Sequence, residues 1–288
     1  MGKLKVGLVQ MAVTADKGAN LRAAAEGVAD CAARGAGIVA LPEMFCCPYQ
    51  ASLFPAYAEG RGGRVWTELS AMARRHGVTL VGGSMPELGD GGGAADGGAK
   101  VYNTCFTFGR DGGEIGRHRK AHLFDVDIAG GQRFFESETL TAGDAVTVVG
   151  TEHGKAGVAI CYDIRFPEVF RAMTERGAVM AFVPAAFNMT TGPAHWEVTF
   201  RARALDNQMF VFGCAPARDL GGPYVSYGNS IVASPWGAVA ARLDEGPGTL
   251  VCEVDLGEVE AVRSQLPLLK AMRRDVYRSA EADGDQAN

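Results

Sequence analysis

Three polar side chains lie where predicted strands of the chain end. Glu43 follows IVALP, Lys120 ends IGRHRK, and Cys161 follows VAI in the stretch VAICYDIRFP. A thiol can attack an amide carbonyl, while a carboxylate takes the thiol proton, hands it to the leaving amine and later activates water. An ammonium can stabilise both the thiolate and the tetrahedral oxyanion. These three residue types are together sufficient for acyl transfer from an amide.

Each of the three residues also has an alternative interpretation. A cysteine that only fills space packs within an apolar run, whereas Cys161 lies at the exit of one, where a thiol can meet a substrate. Glu43 follows a proline, as surface-turn residues often do. Lys120, within GRHRKAH, is also typical of a solvated edge strand or a weak anion patch. Because the three are far apart in the sequence, their spacing alone cannot pair them.

The composition excludes several classes of protein. Of the 288 residues, 47% are hydrophobic and 21% charged, and the formal net charge is -5. This composition is that of a globular protein without the basic field that would attract nucleic acid or an anionic membrane. No apolar stretch approaches the ~20 residues that span a bilayer. The N-terminal residues lack the pattern of a secretory signal, so we expect a cytoplasmic protein.

The cysteine pattern does not favour a metal site or a disulfide framework. The seven cysteines are an odd number, contain no CxxC pair, and lie at positions 31, 46, 47, 105, 161, 214 and 252. Adjacent Cys46 and Cys47 have poor geometry for one tetrahedral zinc. We therefore expect buried free thiols and neither a metal nor a cofactor.

The elements alternate between strand and helix patterns in both halves of the chain. The strand patterns cover 3–11, 36–43, 78–87, 101–109, 155–163, 178–187, 209–216, 227–235, 238–244 and 249–255, and the helix patterns cover 20–35, 64–77, 166–177 and 194–208. The glycine-rich segment 88–100 is expected to be an exposed loop. A phosphate-binding loop is disfavoured, because such a loop is followed by a helix and this segment is followed by a strand pattern. The pattern predicts an α/β fold of two sheets packed face to face with helices outside. We expect one domain over 1–276 and a disordered tail over 277–288.

Three segments resemble the signature segments of the carbon–nitrogen hydrolase (nitrilase) superfamily. ALPEMF, HRKAHLFD and GVAICYDIRFPE occur in the family's order and carry its glutamate, lysine and cysteine at Glu43, Lys120 and Cys161. The resemblance extends from VGLVQM to SQLPLL. It implies a four-layer α-β-β-α sandwich with mixed sheets, and a homodimer or higher homo-oligomer. It also implies a second glutamate that orients the lysine and the base, at Glu136 in RFFESETLTAGD.

Within the superfamily, the sequence is most similar to the omega-amidases. CCPYQASLFPAYAE, VYNTCFTFGRDG, AAFNMTTGPAHWE and RARALDNQ carry this resemblance. It implies hydrolysis of 2-oxoglutaramate and 2-oxosuccinamate through a thioester on the cysteine. It also implies that Arg165 holds the substrate carboxylate, that Tyr49, Phe187 and Thr191 surround it, and that the backbone N–H of Tyr162 completes an oxyanion hole.

Other hypotheses for the function remain open. The enzyme could be another carbon–nitrogen hydrolase: a deaminated glutathione amidase, an N-carbamoyl amine amidohydrolase or a nitrilase. Nitrilases proper tend to carry Trp-Glu after the nucleophile, where this chain has Tyr162 and Asp163, and the chain departs from the omega-amidase pattern at 91–98 and Cys46. A redox-sensing thiol protein would need a resolving cysteine, for which Cys46 and Cys47 are candidates. A binding module that lost its activity is disfavoured, because all four catalytic positions are filled.

Two residues of the expected pocket have competing roles. Arg165 could form an internal salt bridge with Asp163 or Glu168 rather than bind a substrate. His195 could be the base of a Cys–His dyad, although a histidine that begins a helix is more often structural. The expected partner is a small-molecule amide, with no nucleic acid and no membrane.

Overall fold

The computed structural model describes residues 2–89, 100–222 and 224–276. Its strands are β1 (Lys3–Gln10), β2 (Ile38–Ala40), β3 (Thr79–Val81), β4 (Met85–Leu88), β5 (Val101–Phe108), β6 (Glu114–Arg119), β7 (Asp125–Asp127), β8 (Arg133–Phe135), β9 (Thr147–Thr151), β10 (Gly154–Val158), β11 (Met180–Pro184), β12 (Phe210–Cys214), β13 (Ile231–Ala233), β14 (Val239–Arg242) and β15 (Gly248–Asp255). Its helices are α1 (Lys17–Ala33), α2 (Phe54–Tyr57), α3 (Arg64–His76), α4 (Pro167–Glu175), α5 (Gly192–Asn207), α6 (Gly257–Gln265) and α7 (Leu268–Ala271). Short 3-10 turns cover Ala51–Leu53, Glu136–Glu138 and Cys161–Arg165.

The strands form two large sheets and one small hairpin. The first sheet has the order β15-β1-β2-β3-β5-β4, with β6 also paired to β5, and the second has the order β14-β13-β12-β11-β10-β9. Strands β1, β2 and β3 run parallel in the first sheet, as do β10, β11 and β12 in the second. Because β6 pairs antiparallel to β5, and β5 antiparallel to β3, β6 runs in the same direction as β3. The hairpin consists of β7 and β8.

The two large sheets pack face to face through alternate residues of their strands. Leu4, Val6 and Leu8 of β1 lie in one buried cluster with Phe182 and Phe212 of the second sheet. Side chains two positions apart in a strand share a face, so this spacing aims all three β1 residues at the other sheet. Burying each leucine or phenylalanine contributes about 1.5–3 kcal/mol. The contact between the sheets is therefore a large part of the hydrophobic core.

Helices cover the outer face of each sheet. Val9 and Val39 face away from the second sheet and pack with Leu21 of α1 and Leu69 of α3. On the other side, Phe170 of α4, together with residues of α5, joins the cluster of the second sheet. The order of layers is α1 and α3, first sheet, second sheet, then α4 and α5. The expected four-layer α-β-β-α sandwich is confirmed.

One expected strand is divided in two. The segment 78–87 forms β3 and β4 because Gly82 and Gly83 interrupt it, and Gly83 has φ +64°, a conformation that no strand residue adopts. Residues 90–99 of the expected loop, which include the departure at 91–98, and the expected tail 277–288 lie outside the described residues. Within the part of the chain that is described, no helix is long and apolar enough to cross a membrane.

Candidate active site

The fold brings the exits of several strands to one end of the sandwich. Glu43 lies three residues beyond β2, Cys161 lies three residues beyond β10, and Lys120 directly follows β6. Parallel strands of one sheet end at the same edge, and the two sheets face each other. Residues that are 41 to 118 positions apart in the sequence therefore meet between the sheets.

Glu43 is enclosed and held from both sheets. Its side chain is 1% exposed, so the interpretation as a surface-turn residue is wrong. Its Oε1 accepts hydrogen bonds from Lys120 Nζ and Asn103 Nδ2, both at 2.9 Å, and from the Tyr49 hydroxyl at 3.3 Å. Its Oε2 accepts the backbone N–H of Ala186, just after β11, at 2.9 Å. These contacts fix the direction of both carboxylate oxygens.

Lys120 lies between two carboxylates. It is 0% exposed, so the interpretation as a solvated edge residue is wrong. Its Nζ lies 2.9 Å from Oε1 of Glu43 and 2.9 Å from Oε1 of Glu136. Glu136 begins the turn after β8 and accepts the backbone N–H of Phe124 at 2.7 Å and the Tyr49 hydroxyl at 2.8 Å. The structure thus brings together the two glutamates and the lysine that the resemblance singled out.

Cys161 begins a 3-10 turn in a strained backbone conformation. Its φ is +44°, in the left-handed region that residues with a Cβ rarely adopt and that costs about 1–3 kcal/mol. The thiol is 5% exposed and is within hydrogen-bonding contact of Glu43. The sulfur lies beside Glu43 and Lys120, and surrounding contacts enforce unfavourable backbone conformations of this kind in active sites.

The charges of the site determine its resting protonation state. Burial and the charge of Glu43 raise the pKa of the Cys161 thiol well above its ordinary value, although Lys120 opposes this. Burial also raises the pKa of Glu43. Burial alone would lower the pKa of Lys120, but Glu136 and Glu43 outweigh it and raise that pKa. The resting site therefore holds an ammonium and a neutral thiol beside the carboxyl group of Glu43.

A narrow cavity opens onto Cys161 and collects most of the expected substrate-binding residues. It is lined by Phe124, Cys161, Tyr162, Arg165, Ala186, Phe187, Thr191 and Tyr224. The guanidinium carbon of Arg165 lies 4.8 Å from the ring centre of Phe187 and 5.7 Å from that of Tyr162. The backbone N–H of Tyr162 belongs to the first turn after Cys161, where helical N–H groups have no partner within the helix.

Tyr49 contacts both carboxylates of the site. Its hydroxyl donates to the carboxylates of Glu43 and Glu136, and its ring lies 4.5 Å from that of Tyr224. Tyr49 and Glu43 line a neighbouring cavity of about 380 Å³ rather than the one that contains Arg165. The structure therefore places Tyr49 among the groups that hold the carboxylates.

Arg165 and His195 lie in contact with each other. Arg165 Nη1 donates to Nδ1 of His195 at 3.1 Å, so this ring nitrogen faces the guanidinium. Asp163 pairs with His118 and His122 at 2.9 and 2.8 Å, so it is not the salt-bridge partner of Arg165.

Two residues of the site were not found from the sequence. Asn103 lies in the middle of β5, is 0% exposed and donates to Glu43. Tyr224 lines both cavities. A polar residue inside an otherwise apolar strand was a weak signal for Asn103, whereas nothing in the sequence around Tyr224 distinguishes it from a loop residue.

Comparison with known proteins shows the same family throughout the chain. The model of the Carbon-nitrogen hydrolase family matches residues 5–264. The chain is 46% identical over 281 residues to the omega-amidase NIT2-A of Xenopus laevis, which covers 98% of this chain and 99% of that protein. The crystal structure of Saccharomyces cerevisiae Nit3, a member of branch 10 of the nitrilase superfamily, is similar with a TM-score of 0.84 at 37% identity, covering 96% of this chain and 97% of that one.

A third relative is an amidase from Nesterenkonia sp. AN1. The structure of its glutamate-to-glutamine variant has a TM-score of 0.72 at 25% identity, covers 92% of this chain and 98% of that one, and shows Michael addition of acrylamide at the active-site cysteine. The family match and the 46% identity extend over nearly all of the chain, including the three strand exits. The chain therefore belongs to the carbon–nitrogen hydrolase family and is a hydrolase of amide carbon–nitrogen bonds.

Proposed function

We propose that the chain is an omega-amidase that hydrolyses the amide of 2-oxoglutaramate or 2-oxosuccinamate to the 2-oxo dicarboxylate and ammonia. The observation that carries this proposal is the position of Arg165 on the same narrow cavity as Cys161. A guanidinium there can pair with the distal carboxylate of a short half-amide while the amide carbonyl meets the thiol. The likeness to the omega-amidase NIT2-A supports the same substrate class.

Acylation begins when the thiol proton moves to Glu43 and the Cys161 sulfur forms a bond to the amide carbon. The carbonyl oxygen gains a negative charge, which the ammonium of Lys120 and the backbone N–H of Tyr162 stabilise. When this intermediate collapses, Glu43 gives the proton to the nitrogen, the carbon–nitrogen bond breaks and ammonia leaves. The acyl group remains on Cys161 as a thioester.

Deacylation uses the same carboxylate in the reverse direction. Glu43 takes a proton from water, and the resulting hydroxide attacks the thioester carbon. The carbon–sulfur bond then breaks, the sulfur recovers its proton from Glu43, and the carboxylic product leaves. Glu136 takes no part in the proton transfers and accepts hydrogen bonds from Lys120 and from the backbone of Phe124. Its role is to hold the ammonium in place.

The first experiment measures ammonia release from a panel of substrates. The panel contains 2-oxoglutaramate, 2-oxosuccinamate, a neutral short amide, deaminated glutathione, an N-carbamoyl amine and a nitrile. We expect the highest kcat/KM for the two 2-oxo half-amides, and no turnover by Cys161→Ala. Cys214→Ala removes another buried thiol and should keep most of the activity. A preference for the carbamoyl compound, the nitrile or deaminated glutathione would assign a different member of the family.

The second experiment tests Arg165. Arg165→Met keeps much of the side-chain volume and removes the charge. Truncating one partner of a buried charge pair costs about 2–5 kcal/mol, so kcat/KM for 2-oxoglutaramate should fall ~30-fold or more. A neutral short amide should be affected far less. An equal loss for both substrates together with a lower Tm would show that Arg165 is structural. No loss for either would place the carboxylate elsewhere.

We also propose that two copies of the chain associate through the outer face of α5. Val198 and Leu205, two turns apart on this helix, are 59% and 42% exposed, and Trp236 is 57% exposed. The turn that contains Trp236 lies beside Leu205, and its Gly237 carbonyl accepts a hydrogen bond from Arg201. Large exposed apolar side chains grouped on one face are typical of a protein–protein interface. The opposite face of α5 packs on the second sheet, so pairing through the outer face would extend the layered sandwich.

A further inference from the structure

A wholly buried carboxylate lies two residues after the cysteine and has no part in the reaction steps above. Oδ2 of Asp163 accepts the backbone N–H of Ile160 at 3.0 Å and faces Nε2 of His118 at 2.9 Å. Oδ1 accepts the backbone N–H of His122 at 2.9 Å and faces its Nδ1 at 2.8 Å. Burial alone would raise the pKa of Asp163, but the two histidine hydrogen bonds outweigh it and lower that pKa. The carboxylate is therefore ionised, and both rings donate to it.

These contacts join the segments that carry the thiol and the ammonium. His118 and His122 lie two residues before and two residues after Lys120, while Asp163 lies in the turn that begins at Cys161. We propose that Asp163 is a positioning residue whose carboxylate holds the Cys161 turn against the Lys120 segment and so fixes the sulfur beside the ammonium. This inference rests on the roles of Cys161 and Lys120 under the proposed function.

The strained backbone at Cys161 must be stabilised by contacts from outside its own turn. A residue at φ +44° keeps this conformation only where surrounding contacts outweigh its cost of about 1–3 kcal/mol. The 3-10 turn has five residues, which is too few for its own hydrogen bonds to supply that. Asp163 accepts charge-assisted hydrogen bonds from the residue before the turn and from the two histidines around Lys120, and such bonds are about twice as strong as neutral ones.

The two histidine rings are themselves held in place. Nδ1 of His118 lies 3.0 Å from the hydroxyl of Thr147 in β9. The ring of His122 stacks on Phe166, with ring centres 3.7 Å apart. Because the two rings are fixed, the carboxylate bound to them is fixed as well, and it can hold the turn of Cys161 in one position. A carboxylate bound to mobile side chains could not do so.

A metal site does not explain the same three side chains. A metal ion would need about 2.0–2.2 Å to each ligand atom, whereas the ring nitrogens and carboxylate oxygens meet directly at 2.9 and 2.8 Å. Over the ranges that the structure describes, no group of three histidine, cysteine or acidic residues could hold a metal ion. The proton on each ring nitrogen thus lies where an ion would have to be.

Strand β6 offers a matched control. Glu87 is also 0% exposed, and its carboxylate accepts hydrogen bonds from Arg117 and Arg119 of this strand at 3.0 and 2.8 Å and from Thr104 at 2.7 Å. Glu87→Gln therefore removes a buried charge that holds the same strand but makes no contact with the turn of Cys161. It should lower Tm as Asp163→Asn does, and leave the reacting groups in place.

The experiment compares these two variants by kinetics and by alkylation. Asp163→Asn should lower kcat about 100-fold, the scale of a misplacement of about 1 Å, and change KM by less than about three-fold. Without Asp163 the turn should move and expose the thiol to water, which removes part of the burial that raises its pKa. The thiol pKa, measured from the pH dependence of iodoacetamide alkylation, should therefore fall by about one pH unit or more. Glu87→Gln should change neither quantity. An equal loss of kcat in both variants, or normal kcat in Asp163→Asn, would overturn the proposal.

A second pair of variants applies if Asp163→Asn does not fold. His118→Phe removes the donor and keeps a ring, whereas His118→Gln keeps an N–H at similar reach. We expect low kcat and a lowered thiol pKa for His118→Phe and recovery of both in His118→Gln, while equal behaviour of the two would overturn the proposal. Alkylation needs no substrate. An inactive wild type would therefore refute the proposed function alone, and the thiol pKa values would still decide the role of Asp163.

Discussion

At the scale of single residues, Glu43 and Lys120 shift the pKa of the Cys161 thiol in opposite directions. Glu43 raises the thiol pKa and Lys120 lowers it. Glu43→Gln should therefore lose turnover by ~100-fold or more, the scale of a general base, and should also lower the thiol pKa, because a negative charge beside the sulfur is removed. More thiolate is then present at a given pH, so alkylation by iodoacetamide should be faster.

Lys120→Met is the matched control for Glu43→Gln, because it removes a positive charge beside the sulfur instead of a negative one. Removing the ammonium should raise the thiol pKa further and slow alkylation, and turnover should fall because the oxyanion loses its partner. Mass spectrometry of the peptide that contains Cys161 would locate the label in both variants. If the two substitutions moved the thiol pKa in the same direction, changes in burial rather than charge would control it.

At the scale of elements, the turn between β3 and β4 supports the loop that carries Glu43. Gly83 has φ +64°, and a Cβ there would lie 2.3 Å from the carbonyl oxygen of Pro42. Gly83→Ala must therefore displace that carbonyl and, with it, the next residue, Glu43. We expect an unfolding free energy lower by roughly 1–3 kcal/mol and a kcat at least about 10-fold lower. Denaturant unfolding and steady-state kinetics would measure the two effects.

Gly130→Ala separates backbone strain from the steric clash. Gly130 has a similar φ of +69°, but no atom lies within 4 Å of a Cβ built there. This substitution should cost about 1 kcal/mol through the positive φ alone and leave kcat unchanged. Equal kinetic losses in the two variants would show that Gly83 does not position Glu43.

At the scale of the whole molecule, the proposed pairing through α5 predicts a defined mass in solution. Size-exclusion chromatography with light scattering should give twice the chain mass of 30.3 kDa. The double variant Val198→Glu with Leu205→Glu should shift the protein to the monomer, because two charges cannot be buried without partners. Leu220→Glu, at a residue that is 81% exposed and lies outside α5 and the turn of Trp236, should leave the mass unchanged. A monomeric wild type would exclude the pairing.

The layered fold and the main residues of the candidate site could be predicted from the sequence. Periodicities of two and of 3.6 residues depend on local backbone geometry, so the strands around Val6 and Val158 and the main helices are visible without tertiary information. Residue type and position at a strand exit suggested Glu43, Lys120 and Cys161, and the resemblance to a family added Glu136. The division of 78–87 at Gly83 was missed, because a glycine in a strand pattern does not reveal its φ.

Only the tertiary structure decided which groups share the site and what each one contacts. Burial depends on the packing of the two sheets, and no local pattern shows that Lys120 and Glu43 are fully enclosed. The same packing makes Asp163 a partner of His118 instead of Arg165, and it turns Tyr49 toward the carboxylates. Contacts between residues that are distant in the sequence arise when strand ends meet across two sheets. The residue types therefore determine which reactions this chain can support, whereas the fold determines the geometry and the charge state that those reactions need.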